Sequence, residues 1–184
     1  TQLNVGQTEL VQTMASSGAR LQLAIAPAGA GKTTAMSTLA LAWREAGGDV
    51  LGLAPSAAAA AGLAEQLGGP ADTLHLLTHG LASGRLAAWA ERIGPRTLVV
   101  IDEAGMADTL TLEAAVSFIV RRGGSVRLVG DDRQLSAVEA GGVLRDLAAA
   151  HRAVRLTEVV RFADPAEAAA SLALREGRPE ALGF

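Results

Sequence analysis

Short apolar runs alternate along this chain with longer stretches in which apolar residues recur at helical spacing. The clearest runs cover residues 21–25, 50–54, 97–101 and 126–129, and a shorter one follows at 154–156. Such runs predict strands, and the unbroken run at 97–101 predicts a strand that is buried on both faces. Strands that alternate with helices over this length predict an α/β fold, with a parallel sheet and helices on both of its faces.

Helices are predicted in the stretches between these runs. Asn4 is a suitable N-cap for a helix over residues 5–14, and Gly47-Gly48 ends a second helix near Ala46. An alanine-rich helix is predicted to end near Leu67, before Gly68-Gly69-Pro70. Further helices are predicted over residues 72–92 and 109–121, within 138–150, and over 164–177, the last with the start signal Asp164-Pro165.

A loop of small residues follows the first predicted strand, and a helical stretch follows the loop. A strand, a tight loop and a helix are the context that a phosphate-binding loop requires. Glycines let consecutive N–H groups point at phosphate oxygens, and the positive end of the helix adds to that field. Lys32 supplies a mobile charge for the outer phosphates, and the Thr33 hydroxyl is suited to ligate Mg²⁺. The nucleotide-binding residues predicted here are Pro27, Ala28, Gly29, Ala30, Gly31, Lys32, Thr33 and Thr34.

The loop departs from the usual phosphate-binding pattern at its first position, where Ala26 stands in place of glycine. A chance small-residue loop in a chain rich in alanine and glycine is the plain alternative. However, the tightest approach to phosphate occurs nearer Gly29 and Gly31, so a methyl group at the strand exit is tolerable. Lys32 is also the only lysine among 16 lysine and arginine residues. The one compact ammonium group of the chain therefore lies at the position where a phosphate-binding loop needs it. We therefore predict a nucleotide-binding loop.

Composition and charge exclude several classes of protein. The 184 residues fit one domain with a sizeable core. Without cysteine there is no disulfide framework, and three scattered histidines argue against structural zinc. No apolar run reaches the roughly 18 residues of a membrane span and no signal peptide is evident, so we expect a cytoplasmic chain. A net charge of −3 argues against nucleic-acid binding by bulk electrostatics alone, so any such contact is expected to be local.

Two carboxylates, Asp102 and Glu103, directly follow the run at 97–101. Ligands bind at this end of the strands in open α/β sheets. We expect Asp102 to hold Mg²⁺ and Glu103 to activate the water that attacks the γ-phosphate. An ordinary acidic pair on the surface is the alternative. An adjacent Asp-Glu pair favours a hydrolysing motor over a P-loop kinase, because such kinases usually lack a base positioned for water.

The run at 126–129 is followed by Gly130-Asp131-Asp132-Arg133-Gln134-Leu135, in which the Gln134 amide is placed to sense the γ-phosphate. This sequence after a second strand is a sharper signal than a lone carboxylate. Together with the phosphate loop and Asp102-Glu103, it resembles the first RecA-like motor domain of superfamily 1 DNA helicases. The chain is most similar to the RecD-like group and to the helicase part of TraA/TrwC-type conjugative relaxases.

The resemblance covers essentially the whole chain and adds further site residues. Gln7, in Leu-Asn-x-x-Gln, resembles the family's Q motif, which reads the adenine edge. Arg161 resembles the arginine that reaches the γ-phosphate, although Phe162 stands where RecD-like proteins usually have glutamine. Pro55-Ser56 resembles one family motif that contacts single-stranded DNA. The Thr-x-His element that ends at His75 resembles a second such motif. The catalytic residues implied by the resemblance are Lys32, Glu103, Gln134 and Arg161.

The resemblance also implies cofactors and partners. These are ATP, Mg²⁺ and single-stranded DNA, with 5′-to-3′ movement that nothing in the residues themselves shows. Residues 1–184 are expected to form a single RecA-like ATP-binding domain of a larger protein, because Thr1 stands in place of Met. Family helicases need a second RecA-like domain, of which this sequence carries no trace. We therefore expect the chain alone to bind nucleotide, to hydrolyse it weakly at most, and not to unwind DNA.

Each of these assignments has a plainer alternative. Gln7 is also accounted for as a solvated helix residue, His75 as a hydrogen-bonded residue at a helix start, and Arg161 as a surface partner of Glu158. Pro55-Ser56 is also an ordinary strand exit. For the whole chain two other functions stay open: a non-catalytic nucleotide-binding scaffold module derived from a helicase, and a P-loop ATPase that does not act on DNA.

Overall fold

The computed structural model describes residues 3–27, 29–131 and 153–156. The strands in this part of the chain are β1 (Leu21–Ile25), β2 (Asp49–Ala54), β3 (Ala71–Thr73), β4 (Thr97–Ile101), β5 (Ser125–Gly130) and β6 (Val154–Arg155). They form one sheet in the order β3-β2-β4-β5-β1-β6, and every pairing is parallel. The predicted α/β class with a parallel sheet is confirmed.

Helices cover both faces of the sheet. The described helices are α1 (Val5–Ser16), α2 (Lys32–Glu45), α3 (Ala57–Leu67), α4 (Leu74–Ser83), α5 (Ala88–Glu91) and α6 (Thr109–Arg121), with a 3-10 turn at Ala104–Met106. Leu98 and Val100 pack in a core cluster with residues of α1, α2 and α3. Val99 and Ile101 point the other way, into a cluster with residues of α4 and α6. Strand β4 therefore needs apolar residues at every position, which is why its run is unbroken.

One predicted helix is wrong. Residues 72–92 do not form a single helix, because Ala71–Thr73 pairs with Gly52–Ala54 of β2 as a short edge strand. Helix α4 then ends at Gly84, whose φ of 68° is the left-handed geometry of a glycine cap. Only the four-residue α5 follows before β4. The other predicted strands and the predicted helices up to residue 121 are confirmed, whereas the helices predicted within 138–150 and over 164–177 lie outside the described residues.

The strand register brings five strand ends to one edge of the sheet. Thr73 pairs with Ala54, Leu53 with Ile101, and Ile101 with Leu128, while on the other side of β5 Gly130 pairs with Ile25. The segments that follow β3, β2, β4, β5 and β1 consequently leave the sheet side by side at its carboxyl edge. That edge carries the candidate site.

A fully buried arginine ties the sheet to the first helix. Arg127 of β5 is 0% exposed and has no carboxylate partner among the described residues. Its guanidinium donates to the backbone carbonyl of Met14 from Nε (3.1 Å) and Nη2 (2.8 Å), and from Nη1 to that of Ala19 (3.2 Å). Burial lowers the pKa of Arg127 to about 10, which still leaves the side chain charged at neutral pH. The carbonyl of Met14 near the end of α1 and that of Ala19 beyond it thus accept hydrogen bonds from a cation of the neighbouring sheet.

No helix in the described part of the chain is long and apolar enough to cross a membrane.

Candidate nucleotide-binding site

The loop after β1 has the backbone geometry that its glycines were expected to allow. Gly29 and Gly31 have φ values of 82° and 76°, in the left-handed region that side chains with a Cβ rarely adopt. A hydrogen bond from the Ala30 N–H to the Pro27 carbonyl (3.1 Å) closes the turn between them. Gly31 then caps α2 without any side-chain hydrogen bond, so the first N–H groups of that helix have no side-chain acceptor. Such an end is suited to bind an anion.

Ala26 fits the first position of the loop because its methyl group points into the core. The residue is only 4% exposed and belongs to the cluster beneath α1, α2 and α3. Its backbone N–H donates to the carbonyl of Gly130 (2.9 Å), which continues the pairing of β1 with β5 by one residue. The alanine therefore replaces glycine at a point where the chain is still strand-like.

Lys32 and Asp102 meet across the cleft. The ammonium of Lys32, the first residue of α2, lies 2.7 Å from Oδ1 of Asp102, which follows β4. The same oxygen accepts a hydrogen bond from the backbone N–H of Glu103 (2.8 Å). Asp102 is 8% exposed and its own N–H donates to the Leu53 carbonyl (2.9 Å), so the carboxylate has a fixed position. The predicted phosphate-binding cation and the predicted Mg²⁺ ligand are therefore neighbours.

Glu103 has a strained backbone. With φ 52° and ψ 33° it is the only non-glycine residue with positive φ in the described part of the chain. The left-handed conformation costs a residue with a Cβ about 1–2 kcal/mol. Such strain is typical of functional positions, where it aims a side chain that an extended strand would direct elsewhere. Glu103 is partly exposed at the start of the 3-10 turn.

Glu103, the second residue after β4, and Asp131, the first residue after β5, line one small cavity. Its volume is about 10 Å³, and Glu103, Gly105, Met106 and Asp131 line it. That volume is close to the room that one water molecule needs. Glu103 and Asp131 therefore converge on a space in which a single water would have polar neighbours.

Thr33 and Thr34 occupy the first turn of α2. Thr33 is exposed and its hydroxyl makes no hydrogen bond with any described residue, whereas Thr34 is partly buried. A hydroxyl in the first turn of α2, adjacent to Lys32 in the chain, belongs to the hard oxygen donors that Mg²⁺ prefers. The residues expected to hold this ion thus have suitable chemistry. Among the described residues no group of three or more acidic, histidine or cysteine side chains could hold a metal by itself.

Gln7 is not a solvated helix residue. It is 5% exposed and forms a capping box with Asn4, in which the Gln7 Oε1 accepts from the Asn4 N–H (3.0 Å) and the Asn4 side chain accepts from the Gln7 N–H (2.7 Å). Its Nε2 donates to the carbonyl of Gly31 (3.1 Å), inside the phosphate loop. The Asn-x-x-Gln pattern signals the capping box, but the contact with Gly31 connects residues 24 positions apart and has no sequence signal.

The residues predicted to contact DNA leave the sheet from two neighbouring strands. Pro55 and Ser56 follow β2, and His75 lies in the first turn of α4 just after β3. His75 is exposed, whereas the Ser56 hydroxyl accepts from the Ala59 N–H (3.1 Å) as the N-cap of α3. Because Ala54 and Thr73 are register partners, these segments run side by side. They lie beyond β4 from the phosphate loop, along the same edge.

Three predicted site residues, Ala28, Gln134 and Arg161, lie outside the described residues. A further cavity of about 470 Å³ opens near the start of β2 and β4, at the opposite edge of the sheet. Arg44, Asp49, Trp89 and Arg92 are among the residues that line it, and none of the predicted site residues that the structure describes does. The larger cavity therefore lies at one edge of the sheet and the predicted site residues at the other. The Lys32–Asp102 ion pair and the left-handed glycines favour the carboxyl edge as the nucleotide-binding site.

The parallel sheet, the left-handed glycines and the Lys32–Asp102 pair define an α/β P-loop NTPase domain of the RecA-like kind. More particularly, the chain belongs to the AAA domain family, whose sequence profile matches residues 2–184.

Individual relatives agree with this assignment. The chain is 33% identical over 169 residues to the conjugal transfer protein TraA of Rhizobium radiobacter, covering 88% of this chain and 14% of that protein. It is 35% identical over 147 residues to the ATP-dependent RecD2 DNA helicase of Deinococcus radiodurans, covering 79% and 20%. The predicted resemblance to RecD-like helicases and TraA-type proteins is confirmed, and the chain spans only about a seventh to a fifth of these proteins.

Solved structures confirm the fold. The Pif1 helicase from Candida albicans superimposes with a TM-score of 0.64 at 20% identity, covering 97% of this chain and 45% of that one. The UvsW helicase from bacteriophage T4 gives a TM-score of 0.54 at 15% identity, covering 73% and 54%.

Proposed function

We propose that this chain is the ATP-binding and ATP-hydrolysing motor domain of a DNA helicase that belongs to a larger conjugative relaxase/helicase protein of the cytoplasm. The observation that carries the proposal is the 2.7 Å contact between Lys32 of the phosphate loop and Asp102 at the end of β4. It joins a phosphate-binding cation to a metal-binding carboxylate at the edge of the sheet where ligands bind.

The roles of the side chains follow from their positions. The first N–H groups of α2, together with Lys32, bind the β- and γ-phosphates of ATP. Glu103 is proposed to accept a proton from the attacking water, because it lines the small cavity together with Asp131. Gln134 and Arg161 are proposed to stabilise charge on the transferred phosphoryl group.

Mg²⁺ would be held by the Thr33 hydroxyl and the Asp102 carboxylate, a pair of hard oxygen donors. When bound, the ion neutralises charge on the phosphate oxygens. Lys32 would then exchange its carboxylate partner for phosphate oxygens, so the ion pair dissolves when nucleotide enters. The residues that form the site therefore stay the same, and only the partners of Lys32 and Asp102 change.

Single-stranded DNA is proposed to lie along the segments after β2 and β3. Pro55, Ser56 and the exposed His75 line this part of the edge, next to β4 and its carboxylates. The similarity to a conjugal transfer protein and to a DNA helicase supports a role on DNA. We propose that a second RecA-like domain of the same protein completes the ATP site, and that movement is 5′-to-3′. The isolated chain is then expected to bind ATP, hydrolyse it weakly and leave duplex DNA intact.

The experiment that tests the proposal is a titration of a fluorescent ATP analogue with Mg²⁺, with and without a single-stranded oligonucleotide. The chain is compared with Lys32→Ala and with Arg85→Ala, which removes an exposed cation beyond the far end of α4. We expect Lys32→Ala to lose binding, Arg85→Ala to retain it, and the oligonucleotide to strengthen it, because coupling between two ligands is reciprocal.

Two other outcomes separate the rival functions. Binding that depends on Lys32 but ignores the oligonucleotide would favour a P-loop ATPase that does not act on DNA. Equal and negligible binding by all three chains would contradict both the proposed function and a nucleotide-binding scaffold module.

A further inference from the structure

We propose that His75 and His79, one turn apart on α4, form a binding site for a divalent transition-metal ion of the Zn²⁺, Ni²⁺ and Cu²⁺ class. The site is separate from the Mg²⁺ site proposed beside the phosphate loop, because it uses other residues and other ligand atoms. Its existence does not rest on the proposed function, since neither nucleotide nor DNA takes part in it.

The two imidazole rings lie close together on one face of the helix. Helix α4 covers Leu74–Ser83, and residues four positions apart on a helix have Cβ atoms about 5–6 Å from each other. The ring centroids of His75 and His79 are 6.2 Å apart, and the ring planes are inclined by 35°. Two imidazoles that bind one ion through nitrogens at about 2.1 Å have their ring centroids about 5 Å apart. A small rotation of the side chains therefore brings both rings onto one ion.

Neither ring has another partner among the described residues. Both side chains are exposed, and the hydrogen bonds at these positions go to the backbone carbonyls, which accept from the hydroxyls of Thr78 and Ser83. The imidazole nitrogens make no hydrogen bond or ion pair with any residue that the structure describes. An ion can therefore bind both rings without breaking an existing contact in that part of the chain.

The chemistry of the ligands selects the class of ion. Imidazole nitrogen suits Zn²⁺, Ni²⁺ and Cu²⁺, whereas Mg²⁺ prefers oxygen ligands. Within the described ranges no group of three or more acidic, histidine or cysteine side chains could hold a metal. The ion would thus have two ligands from this part of the chain, and water would complete its coordination. A structural zinc site has four protein ligands, so we expect weaker and reversible binding here.

A bound ion would also stabilise α4. It would join the first turn of the helix to the second, whereas in the unfolded chain the two imidazoles have no fixed distance from each other. An ion that binds the folded chain better than the unfolded chain raises the melting temperature. Affinity and melting temperature are therefore two independent measures of the same site.

The test is a calorimetric titration with Zn²⁺ and with Ni²⁺, in excess Mg²⁺ and without nucleotide or DNA. The unsubstituted chain is compared with His75→Ala and His79→Ala. A matched control combines His79→Ala with Ala82→His at another exposed position, which keeps two histidines on α4 but separates them by about 10 Å along the helix axis. His151→Ala removes the one further histidine of the chain.

We expect one ion to bind per chain. Each single substitution in α4, and the control with the moved histidine, should weaken binding by about tenfold or more, because one imidazole alone lacks the second, intramolecular ligand. His151→Ala should bind as the unsubstituted chain does. Ni²⁺ should raise the melting temperature of the unsubstituted chain and of His151→Ala, but not that of the control with the moved histidine.

Three results would overturn the inference. Equal affinity of the unsubstituted chain and the control with the moved histidine would show that the histidines bind ions independently. A loss in His151→Ala as large as that in His75→Ala would place the site elsewhere. Absence of binding to the unsubstituted chain would refute the site outright. Because no nucleotide or DNA is present, none of these results bears on the proposed function, which its own titration tests.

Discussion

The Nζ atom of Lys32 lies 2.7 Å from Oδ1 of Asp102, and no other ion pair joins two of the described residues. The contact spans 70 positions of sequence and closes the cleft between the phosphate loop and the end of β4. The charge that should bind phosphate is thus neutralised by the carboxylate that should bind the metal. An incoming nucleotide must replace that carboxylate as the partner of Lys32.

Asp102→Asn should therefore change ATP affinity in opposite directions with and without the metal. Without Mg²⁺, we expect ATP to bind about tenfold more tightly, because Lys32 is released and a negative charge facing the phosphates is removed. With Mg²⁺, affinity and hydrolysis should both fall, because a carboxylate ligand is lost. A titration of fluorescent ATP analogue in chelator and in Mg²⁺ measures both effects. Asp49→Asn at the opposite edge should change neither, and a loss of affinity under both conditions would contradict the proposed competition.

Glu103→Gly should separate stability from catalysis. Glycine relieves the left-handed strain at φ 52°, while its greater freedom in the unfolded chain offsets part of that gain. We expect a net increase of about 0.5 kcal/mol in the free energy of unfolding and complete loss of ATP hydrolysis. Glu103→Gln should lose hydrolysis without becoming more stable. Denaturant unfolding and phosphate release measure the two properties, and equal stability of both variants would argue against backbone strain.

Two glycine-to-alanine substitutions should have opposite signs. A Cβ at Gly52 of β2 would lie 2.7 Å from the Ala71 Cβ and 2.8 Å from Leu63 Cδ2, so β3 and α3 would have to move. We expect Gly52→Ala to lower the free energy of unfolding by about 1–3 kcal/mol. Gly62 lies within α3 with nothing within 4 Å of its Cβ position, so Gly62→Ala should raise it by about 0.8 kcal/mol. Urea unfolding of both variants measures these changes. If both substitutions raised the free energy of unfolding, the close packing around Gly52 would be contradicted.

Arg127→Met should destabilise the chain although methionine suits a buried strand. The substitution leaves the carbonyls of Met14 and Ala19 without their guanidinium donor. Relief from burying a charge offsets only part of that loss, so we expect the free energy of unfolding to fall by about 2 kcal/mol. Arg121→Met, on the exposed last turn of α6, should stay within about 0.5 kcal/mol. An Arg127→Met chain as stable as Arg121→Met would show that water satisfies those carbonyls.

Acidic pH should remove the contribution that the charge of the α6 N-cap, Asp108, makes to the free energy of unfolding. The pKa of Asp108 is lowered from its ordinary value of 3.8, chiefly by the hydrogen bond from the Thr111 backbone N–H (2.9 Å) and then by the Thr111 side chain. The folded state thus binds this proton less tightly than the unfolded state. The stabilisation is complete above the ordinary pKa and is lost as pH falls through the lower folded value. Asp108→Asn keeps the cap without the charge, so its deficit of about 0.3 kcal/mol near pH 6 should vanish at about pH 2–3. A deficit that does not change with pH would exclude the carboxylate charge as its cause.

Most of the fold is predictable because its strands are apolar on both faces and its helices end at glycines. Strand β4 shows this best, since Leu98 and Val99 are each fully buried, on opposite faces. Strand β3 is different. Ala71, Asp72 and Thr73 have no apolar pattern, and the strand exists only because β2 offers an edge to pair with.

The site is predictable to the same extent and for similar reasons. Gly31 and Lys32 are recognisable because phosphate binding requires those residue types at that spacing. The hydrogen bond from Gln7 to Gly31 joins segments that are distant in sequence, so no local sequence pattern predicts it. Arg127 is missed for another reason. A charged residue in a strand is expected to face water, and the backbone carbonyls of Met14 and Ala19, which accept from its guanidinium, explain its burial.

The solitary lysine has a practical consequence. Lys32 carries the only side-chain amine of the chain and keeps 27% of its side-chain surface exposed. Apart from the terminal amine, an acylating reagent therefore has one target, and that target lies in the cleft. The yield of a single labelled peptide in a mass spectrum would report directly how often the cleft is empty. This chain carries its own occupancy probe, without any introduced cysteine or dye.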